Sequence, residues 1–345
     1  MEKVVLNTAG AVSNILIGES VYNLAKYIPA NQKTIIITDD NIAKLYAKAI
    51  EGFDVIVIPQ GENNKTLATI DLIMGKLVEF EADRSTFIVG IGGGIVSDIT
   101  GFAASIYMRG LNFGFVTTSL LSMVDASVGG KNGVNYGGFK NMVGVFNQPQ
   151  FVICDIEMLK TLDREEFIGG MAEVIKHGAI KDKALFEFLE NNYNAILKYD
   201  KDAIHRCIKD SVEIKANVVS QDEREKGERR KLNFGHTFGH AIEKLTMMPH
   251  GKAVAIGMNM AAAASVLLGH LSQNEALRLK KLTENFLLPT YLDADSNALF
   301  NAMKKDKKRD GASLHLVLLD SIGHAIIENV EYKKLEEIIH DMRLA

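Results

Sequence analysis

The chain has little cysteine, no long apolar run and no excess of positive charge. Its 345 residues include two cysteines, Cys154 and Cys207, which lie in different predicted elements without a CxxC spacing, so no disulfide framework is expected. A net charge of −4, without a Lys/Arg stripe between aromatic residues, argues against a nucleic-acid partner. No stretch reaches the ~18 apolar residues of a transmembrane helix, and Met1–Leu6 has no signal-peptide pattern. We therefore expect a cytoplasmic protein with no membrane partner.

Composition and length predict an ordinary globular enzyme of two domains. Hydrophobic residues make up 47% and charged residues 24% of the chain, and single cores stop growing near ~250–300 residues. Residues 1 to about 155 alternate β-branched apolar runs with helical patterns, which predicts βαβ units and a mostly parallel sheet. The predicted strands are Lys33–Thr38, Asp54–Pro59, Thr86–Gly90 and Phe113–Thr117.

From about Asp163 onward the periodicity is almost entirely helical. Two late apolar runs, Leu314–Leu319 and Ala325–Val330, predict short strands before a final helix over Tyr332–Met342. We therefore predict an α/β, Rossmann-like N-terminal domain over residues 1–160 and a mainly α-helical C-terminal domain over residues 161–345. A ligand crevice is expected between them, outside the carboxyl ends of the strands.

The most informative segment is Leu232–His240, because it carries two histidines four residues apart. His236 and His240 would lie on one helix face, and His250 follows just after a break at Pro249. This spacing is typical of helical metal sites that take a further ligand from elsewhere in the chain. Thr237 stands where a metalloprotease has its glutamate base, so that activity is excluded. The alternative is two helix histidines bonded to carbonyl groups, with His250 in a loop.

A glycine cluster between a strand and a helix predicts a nucleotide site. Thr86–Gly90 runs into Gly92–Gly94, where backbone N–H groups could approach a pyrophosphate at the helix N-terminus. The spacing is not GxGxxG, because Ile95 takes the last glycine position, and the alternative is a tight turn that needs positive φ. Asp98 is expected either to cap the helix or to bond the cofactor. Gly61–Thr66 also joins a strand to a helix and offers a carboxylate and an ammonium to a nucleoside.

Taken together, these motifs resemble the 3-dehydroquinate synthase family. The resemblance covers essentially the whole chain and keeps the order of every motif. One departure is Asn132, where the family often has threonine, and we expect little consequence. The matching segments are Gly61–Thr66, Gly92–Asp98, Tyr107–Gly110, Thr117–Leu121, Met123–Lys131, Lys140–Asn141, Gly170–Lys176, Asn233–Glu243, His250–Gly251 and Asp306–Lys308.

The resemblance implies an enzyme that binds NAD and one divalent metal, Zn²⁺ or Co²⁺. Its substrate would be a phosphorylated sugar acid, 3-deoxy-arabino-heptulosonate 7-phosphate, and its products 3-dehydroquinate and phosphate. In the family, NAD oxidises the C5 hydroxyl, phosphate leaves by β-elimination, the ketone is reduced again, and the opened ring closes by intramolecular aldol addition. We also expect a homodimer.

The resemblance further implies a set of site residues. The metal ligands would be Glu173, His236 and His250. Spacing alone does not decide whether His236 or His240 is the ligand. The catalytic residues would be His240, as a proton carrier, with Lys131, Lys176 and Glu225. The cofactor-binding positions would be Asp39, Asn41, Glu62, Lys65, Gly93, Gly94, Asp98, Thr117, Thr118, Asp125, Lys131, Lys140 and Thr161. The substrate-binding positions would be Arg109, Asp125, Lys131, Lys140, Asn141, Lys176, Lys215, Arg229, Asn233, His240 and Lys307.

The charge of the substrate explains why so many of these positions are cationic. A phosphate monoester with a carboxylate carries about three negative charges. Lys131 is expected in small, apolar surroundings because it follows Ser127–Gly130, and Arg109 matches an arginine that in the family reaches the phosphate pocket of the neighbouring subunit. The segment Asp222–Lys231 is expected to be an exposed loop that orders over the substrate. Lys304–Arg309 is expected to be a solvated helix end, from which only Lys307 is carried over.

Two other activities fit the same predicted fold. A polyol or glycerol dehydrogenase would release NADH, but its uncharged substrate would not require the cations Lys131, Lys140, Lys176 and Arg229. A related sugar-phosphate cyclase would act on a substrate without the carboxylate, and its motifs overlap heavily with those found here. A non-enzymatic binding protein would leave the lysines that we expect to be buried unexplained.

Overall fold

The computed structural model describes residues 1–306 and 313–341. It divides into two compact units, of which the first comprises Met1–Asp163 and Lys215–Glu223, and the second Arg164–Ile214 and the described residues from Arg224 onward. Residues 215–223 group with the first unit because Lys215 bonds Asp125 and because the Gln148 amide donates to Glu223 at 2.9 Å. Within the described ranges, no helix combines the length and apolar character needed to cross a membrane.

The first unit contains the mostly parallel sheet that the sequence predicts. Seven strands pair in the order β1-β2-β9-β6-β5-β3-β4, and every pairing is parallel except that of β1 with β2. The strands β7 and β8 form a separate antiparallel hairpin. The strands of this unit are β1 (Glu2–Asn7), β2 (Val12–Ile17), β3 (Thr34–Asp39), β4 (Asp54–Ile58), β5 (Phe87–Gly92), β6 (Phe113–Thr117), β7 (Lys131–Tyr136), β8 (Phe139–Phe146) and β9 (Phe151–Cys154).

Burial explains why the central strands read as continuous apolar runs. Every residue of β3, β5, β6 and β9 is buried, as expected for parallel strands that are covered on both faces. The α2 helix starts at a Thr66 side chain that accepts from the backbone N–H of Thr69. The helices of this unit are α1 (Asp40–Leu45), α2 (Leu67–Glu79) and α3 (Gly94–Ile106).

The second unit is mainly helical, as predicted. Its α8 helix is apolar on all sides, with Ala253 through Met258 buried in succession, and it packs against α4, α7 and α9. The two late apolar runs form the β10–β11 hairpin. The elements of this unit are α4 (Arg164–Lys181), α5 (Lys183–Leu197), α6 (Lys201–Gln221, whose end from residue 215 groups with the first unit), α7 (His236–Thr246), α8 (His250–Leu267), α9 (Gln273–Asn285), α10 (Ser296–Asp306), β10 (Ser313–Ser321), β11 (His324–Glu331) and α11 (Tyr332–Asp341).

Candidate metal and nucleotide sites

Three side chains from three helices converge in the second unit. Glu173 lies in the middle of α4, while His236 and His250 are the first residues of α7 and α8. The Nε2 atoms of His236 and His250 lie 3.6 Å and 3.7 Å from the same oxygen of Glu173, Oε1. The Glu173 side chain is completely buried. One carboxylate and two imidazoles therefore face a common point.

Close helix packing, made possible by glycine, holds these ligands together. Gly251 follows His250, and a Cβ at this position would lie 2.3 Å from the backbone oxygen of Gly169 on α4. Gly235, directly before His236, has a φ of 79° and packs against α8, where a Cβ would meet the backbone N of Met258 at 2.8 Å. The glycines beside the histidines are thus required by the close approach of α8 to α4 and to the start of α7.

Each imidazole has an oxygen near its Nδ1 atom, so that Nε2 of the neutral ring faces the common point. His236 Nδ1 lies 3.2 Å from the carbonyl oxygen of Phe234, which can only accept, so the ring hydrogen is on Nδ1 and Nε2 keeps its lone pair. His250 Nδ1 lies 3.5 Å from Glu243 Oε2. A carboxylate or carbonyl on the far side of a histidine is the usual arrangement around a bound metal.

The electrostatics of the cluster keep two of the three proposed ligands, His236 and Glu173, in the deprotonated form that binds a metal. Burial lowers the pKa of His236 to about 3, with the Lys176 ammonium acting in the same direction, so this imidazole is neutral. Burial raises the pKa of Glu173, but the charge of Lys176 and the two imidazoles outweigh it and hold the pKa well below its usual value. Burial lowers the pKa of His250, whereas the carboxylates of Glu173 and Glu243 raise it to about 9.

This donor set fits a divalent cation such as Zn²⁺ or Co²⁺. Tetrahedral ligands at ~2.0–2.2 Å from a zinc ion lie about 3.3–3.6 Å from one another, close to the observed 3.6 Å and 3.7 Å. His240 is exposed one turn further along α7, its ring centre 5.3 Å from that of His236. Glu243, which sequence reasoning missed, forms with His240 and His250 a second group whose ligand atoms could hold a metal ion. The i, i+4, i+7 spacing of His236, His240 and Glu243 on one helix face would have identified it.

The nucleotide candidates of the first unit lie at one edge of its sheet. Strands β6, β5, β3 and β4 are neighbours, so their carboxyl ends share an edge. Asp39 ends β3 and Thr117 ends β6, while Glu62 follows β4 and Gly93 follows β5. Asp39 accepts from the Ile42 N–H at the start of α1, and burial raises its pKa. The sequence predicted that Glu62 and Gly93 follow strands, but it did not predict the order in which the strands pair.

The glycine cluster starts α3 without unusual backbone geometry. Gly93 is the N-cap residue, its helix end has no side-chain cap, and its φ is −77°. None of Gly92, Gly93 and Gly94 has positive φ, so the tight-turn alternative is wrong. Instead, the cluster allows close packing, since a Cβ on Gly94 would meet Ala126 at 3.1 Å.

Asp98 does not cap α3, which corrects one of the two alternatives for this residue. Its carboxylate accepts from the Lys65 ammonium at 2.5 Å, and Lys65 also donates to Asn141 Oδ1 at 2.6 Å. Burial raises the pKa of Asp98, and the Lys65 charge opposes that effect. A similar pair joins Lys215 to Asp125, whose carboxylate and backbone oxygen accept at 2.7 Å and 2.5 Å.

Only some of the cationic side chains that were expected to be buried are buried. Lys176 and Arg229 are buried, and the Lys176 ammonium pairs with Glu173. Lys131 and Lys140 are exposed, so the prediction of apolar surroundings for Lys131 is wrong. The reason is that Lys131 opens the β7–β8 hairpin, and the buried backbone before it does not determine where a long side chain ends.

The charged segment Asp222–Lys231 is also less exposed than predicted. Residues Glu228–Asn233 form a short 3₁₀ helix, Arg229 is 3% exposed, and Glu228 pairs with Lys181. Glu225 accepts from the Asn233 amide.

The remaining predicted positions are more scattered. Asn41 and Arg109 are exposed, and the backbone at Arg109 has a φ of 72°. Thr161 shares a hydrogen bond with the Tyr46 hydroxyl at 2.7 Å, and Thr118 is buried. Lys307 lies outside the described residues.

Comparison with known proteins gives consistent results for both halves of the chain. The family model for the 3-dehydroquinate synthase N-terminal region matches residues 55–169, and the model for the C-terminal region matches residues 170–309. A 3-dehydroquinate synthase of Campylobacter curvus is 44% identical over 323 residues, which cover 90% of this chain and 92% of that protein. One of Thermodesulfovibrio yellowstonii is 42% identical over 340 residues, which cover 94% of each protein.

A solved structure agrees with these matches. The crystal structure of 2-deoxy-scyllo-inosose synthase, complexed with carbaglucose-6-phosphate, NAD⁺ and Co²⁺, aligns with a TM-score of 0.89 at 26% identity, covering 99% of this chain and 100% of that one. The fold is therefore that of the sugar-phosphate cyclases. Within this class the chain belongs to the 3-dehydroquinate synthase family, because both family models and relatives of 42–44% identity match it along most of its length.

Proposed function

We propose that the protein converts 3-deoxy-arabino-heptulosonate 7-phosphate into 3-dehydroquinate and phosphate, with bound NAD and one divalent metal ion. The observation that carries this proposal is the match of both family models, in order, over residues 55–309. The Glu173, His236 and His250 cluster supports the metal part of the proposal, because one carboxylate and two imidazoles face a common point.

Glu173, His236 and His250 would hold the metal. A bound divalent cation acts as a Lewis acid that lowers the pKa of a coordinated hydroxyl. The protein's own part is to keep both imidazoles oriented, through the Phe234 carbonyl and the Glu243 carboxylate. The buried Lys176 ammonium beside Glu173 offsets the negative charge of the carboxylate before a cation binds.

The edge of the sheet formed by β6, β5, β3 and β4 would hold NAD, which would supply a hydride acceptor. Glu62 would bond a ribose hydroxyl, and the N-terminus of α3 at Gly93 and Gly94 would bind the pyrophosphate. Asp98, held by Lys65 at 2.5 Å, would orient the nicotinamide. Asp39, Asn41, Thr117, Thr118 and Thr161 complete the proposed cofactor contacts.

The cations would recognise the two anionic groups of the substrate. In the first unit these are Lys131, Lys140 and Lys215, with Asn141 as a neutral donor. In the second unit Lys176 and Arg229 are buried, so an unpaired anion beside them would gain strong, poorly screened bonds. Asn233 adds a neutral donor there. His240, exposed beside His236, would carry a proton to or from the substrate, and Glu225 is the second proposed acid–base group.

Product analysis tests this proposal against its two alternatives. The purified protein would be incubated with the heptulosonate phosphate, substoichiometric NAD and Zn²⁺, and the product identified by NMR. We expect 3-dehydroquinate and free phosphate. A related cyclase would leave this substrate intact and act on a sugar phosphate without a carboxylate, whereas a polyol dehydrogenase would oxidise glycerol with accumulation of NADH.

A further inference from the structure

We propose that Asn135 is a positioning residue that couples the cofactor-binding segment Gly61–Thr66 to the substrate-binding residue Asn141. The inference deepens the proposed function and rests on it, because it uses the roles proposed there for Glu62, Lys65 and Asn141. Asn135 lies near the end of β7, four residues after Lys131, and it is half-buried. Asn135 is not among the ligand-binding residues proposed above.

The carboxamide of Asn135 joins two site residues with its two ends. Its Nδ2 donates to Glu62 Oε1 at 2.8 Å, and its Oδ1 accepts from the backbone N–H of Asn141 at 2.9 Å. A carboxylate can only accept and a backbone N–H can only donate, so these partners fix the orientation of the amide. An ionised aspartate of the same size would offer acceptors only.

The backbone of Asn135 makes a third link to the same segment. Its N–H donates to the Lys65 carbonyl oxygen at 2.9 Å, and Asn135 forms an isolated parallel bridge with Thr66. The β7 strand is thereby attached to the segment that carries Glu62 and Lys65.

The Lys65 side chain adds a further link to Asn141. Its ammonium donates to Asn141 Oδ1 at 2.6 Å and to Asp98 at 2.5 Å. Asn141 therefore receives one bond on its side chain from Lys65 and gives one from its backbone to Asn135. Its φ of 51° lies in the left-handed region, which asparagine adopts more readily than most other residues.

These hydrogen bonds predict reciprocal coupling between the binding of NAD and the binding of the substrate. If NAD engages Glu62, Lys65 and Asp98, the bonds through Asn135 hold the backbone of Asn141 in the geometry that the substrate meets. By thermodynamic linkage, a substrate analogue that engages Asn141 must then tighten NAD by the same factor. Removal of the carboxamide should lower this factor more than it lowers either affinity alone.

The test is the dissociation constant of NAD, measured by calorimetry on the Zn²⁺-loaded protein with and without a non-reacting carbocyclic phosphonate analogue of the substrate. In the wild type we expect the analogue to tighten NAD at least about fivefold. In Asn135→Ala and in the near-isosteric Asn135→Asp, which places a second carboxylate beside Glu62, this factor should fall to about one. Zinc affinity should stay the same in all variants.

Asn147→Ala is the matched control. Asn147 follows β8, and its amide donates to Ser105 Oγ at 2.9 Å, so its loss removes a comparable hydrogen bond that touches none of the proposed ligand contacts. This variant should keep the wild-type coupling factor. Coupling that survives in both Asn135 variants, or that is absent from the wild type, overturns the inference. Failure of the wild type to form 3-dehydroquinate is a separate result and overturns the proposed function instead.

Discussion

Replacing Gly251 with alanine should weaken metal binding and stability, although alanine is the better helix former. The added Cβ would lie 2.3 Å from the oxygen and 2.5 Å from the Cα of Gly169. Both atoms belong to the backbone, so no side-chain rotation relieves the contact. An ordinary contact needs about 1 Å more, and α8 must move away from α4 by that amount.

The magnitude follows from what the two helices carry. Overpacking a tight contact costs about 1–3 kcal/mol of unfolding free energy. Glu173 is on α4 and His250 begins α8, and metal sites tolerate only ~0.2 Å of error in ligand distance. We therefore expect zinc affinity to fall by on the order of 10–100-fold, the usual effect of disturbing the residues that hold metal ligands.

Gly75→Ala in α2 is the matched control. No atom lies within 4 Å of its ideal Cβ, and its φ is not positive. Alanine should therefore stabilise the helix by about 0.5–1 kcal/mol. Denaturant unfolding and competition with a chromophoric chelator measure both quantities. Wild-type stability and zinc affinity in Gly251→Ala would refute the packing argument.

Three further predictions concern titration and burial. The pKa of His250 is raised to about 9, so a proton competes with the metal for this ligand. Zinc affinity should therefore rise about tenfold per pH unit up to about pH 9 and then level off. A pH-independent affinity between pH 6 and 8 would contradict this. Burial raises the pKa of Cys154 and of Cys207 to about 12, so neither thiol should react with a disulfide reagent at pH 8 until the protein is unfolded. Lys176→Met leaves the Glu173 carboxylate buried without its ammonium, which should cost about 3–5 kcal/mol of stability in the metal-free protein and clearly less with Zn²⁺; an equal loss in both states would show that the two charges are not coupled.

The sheet could be predicted where strands are buried on both faces. Runs such as Thr34–Asp39 and Phe113–Thr117 are buried throughout and apolar at their centres, and their length and flanking residues distinguish them from helices. The strands β1, β2 and β9 were not predicted. The first two are partly polar and β9 has only four residues, so a pattern over a longer window does not detect them.

The hairpin of β7 and β8 was missed for a different reason. Its eight-residue second strand is mostly exposed, and its sequence lacks the alternation of a half-buried strand. Lys131, Asn135 and Asn141 all belong to it, and the hydrogen bond from Asn141 to Asn135 could not be inferred from spacing. This contact depends on the register of two strands, which local periodicity does not determine.

The metal cluster could be predicted only in part. The spacing of His236 and His240 placed both on one helix face, but it could not decide which of the two approaches Glu173. That choice depends on how α7 packs against α4 and α8. The physical reason for Gly235 and Gly251, helix contact too close for a Cβ, is visible only in three dimensions.

The most direct test of the account is the amount of phosphate released per molecule of NAD. With the heptulosonate phosphate in excess, Zn²⁺ present and NAD limiting, we expect many phosphates per NAD while absorbance at the NADH band stays at baseline. A chelator should stop the release, and added Zn²⁺ or Co²⁺ should restore it. Stoichiometric accumulation of NADH, or no phosphate at all from the metal-loaded protein, would contradict the account.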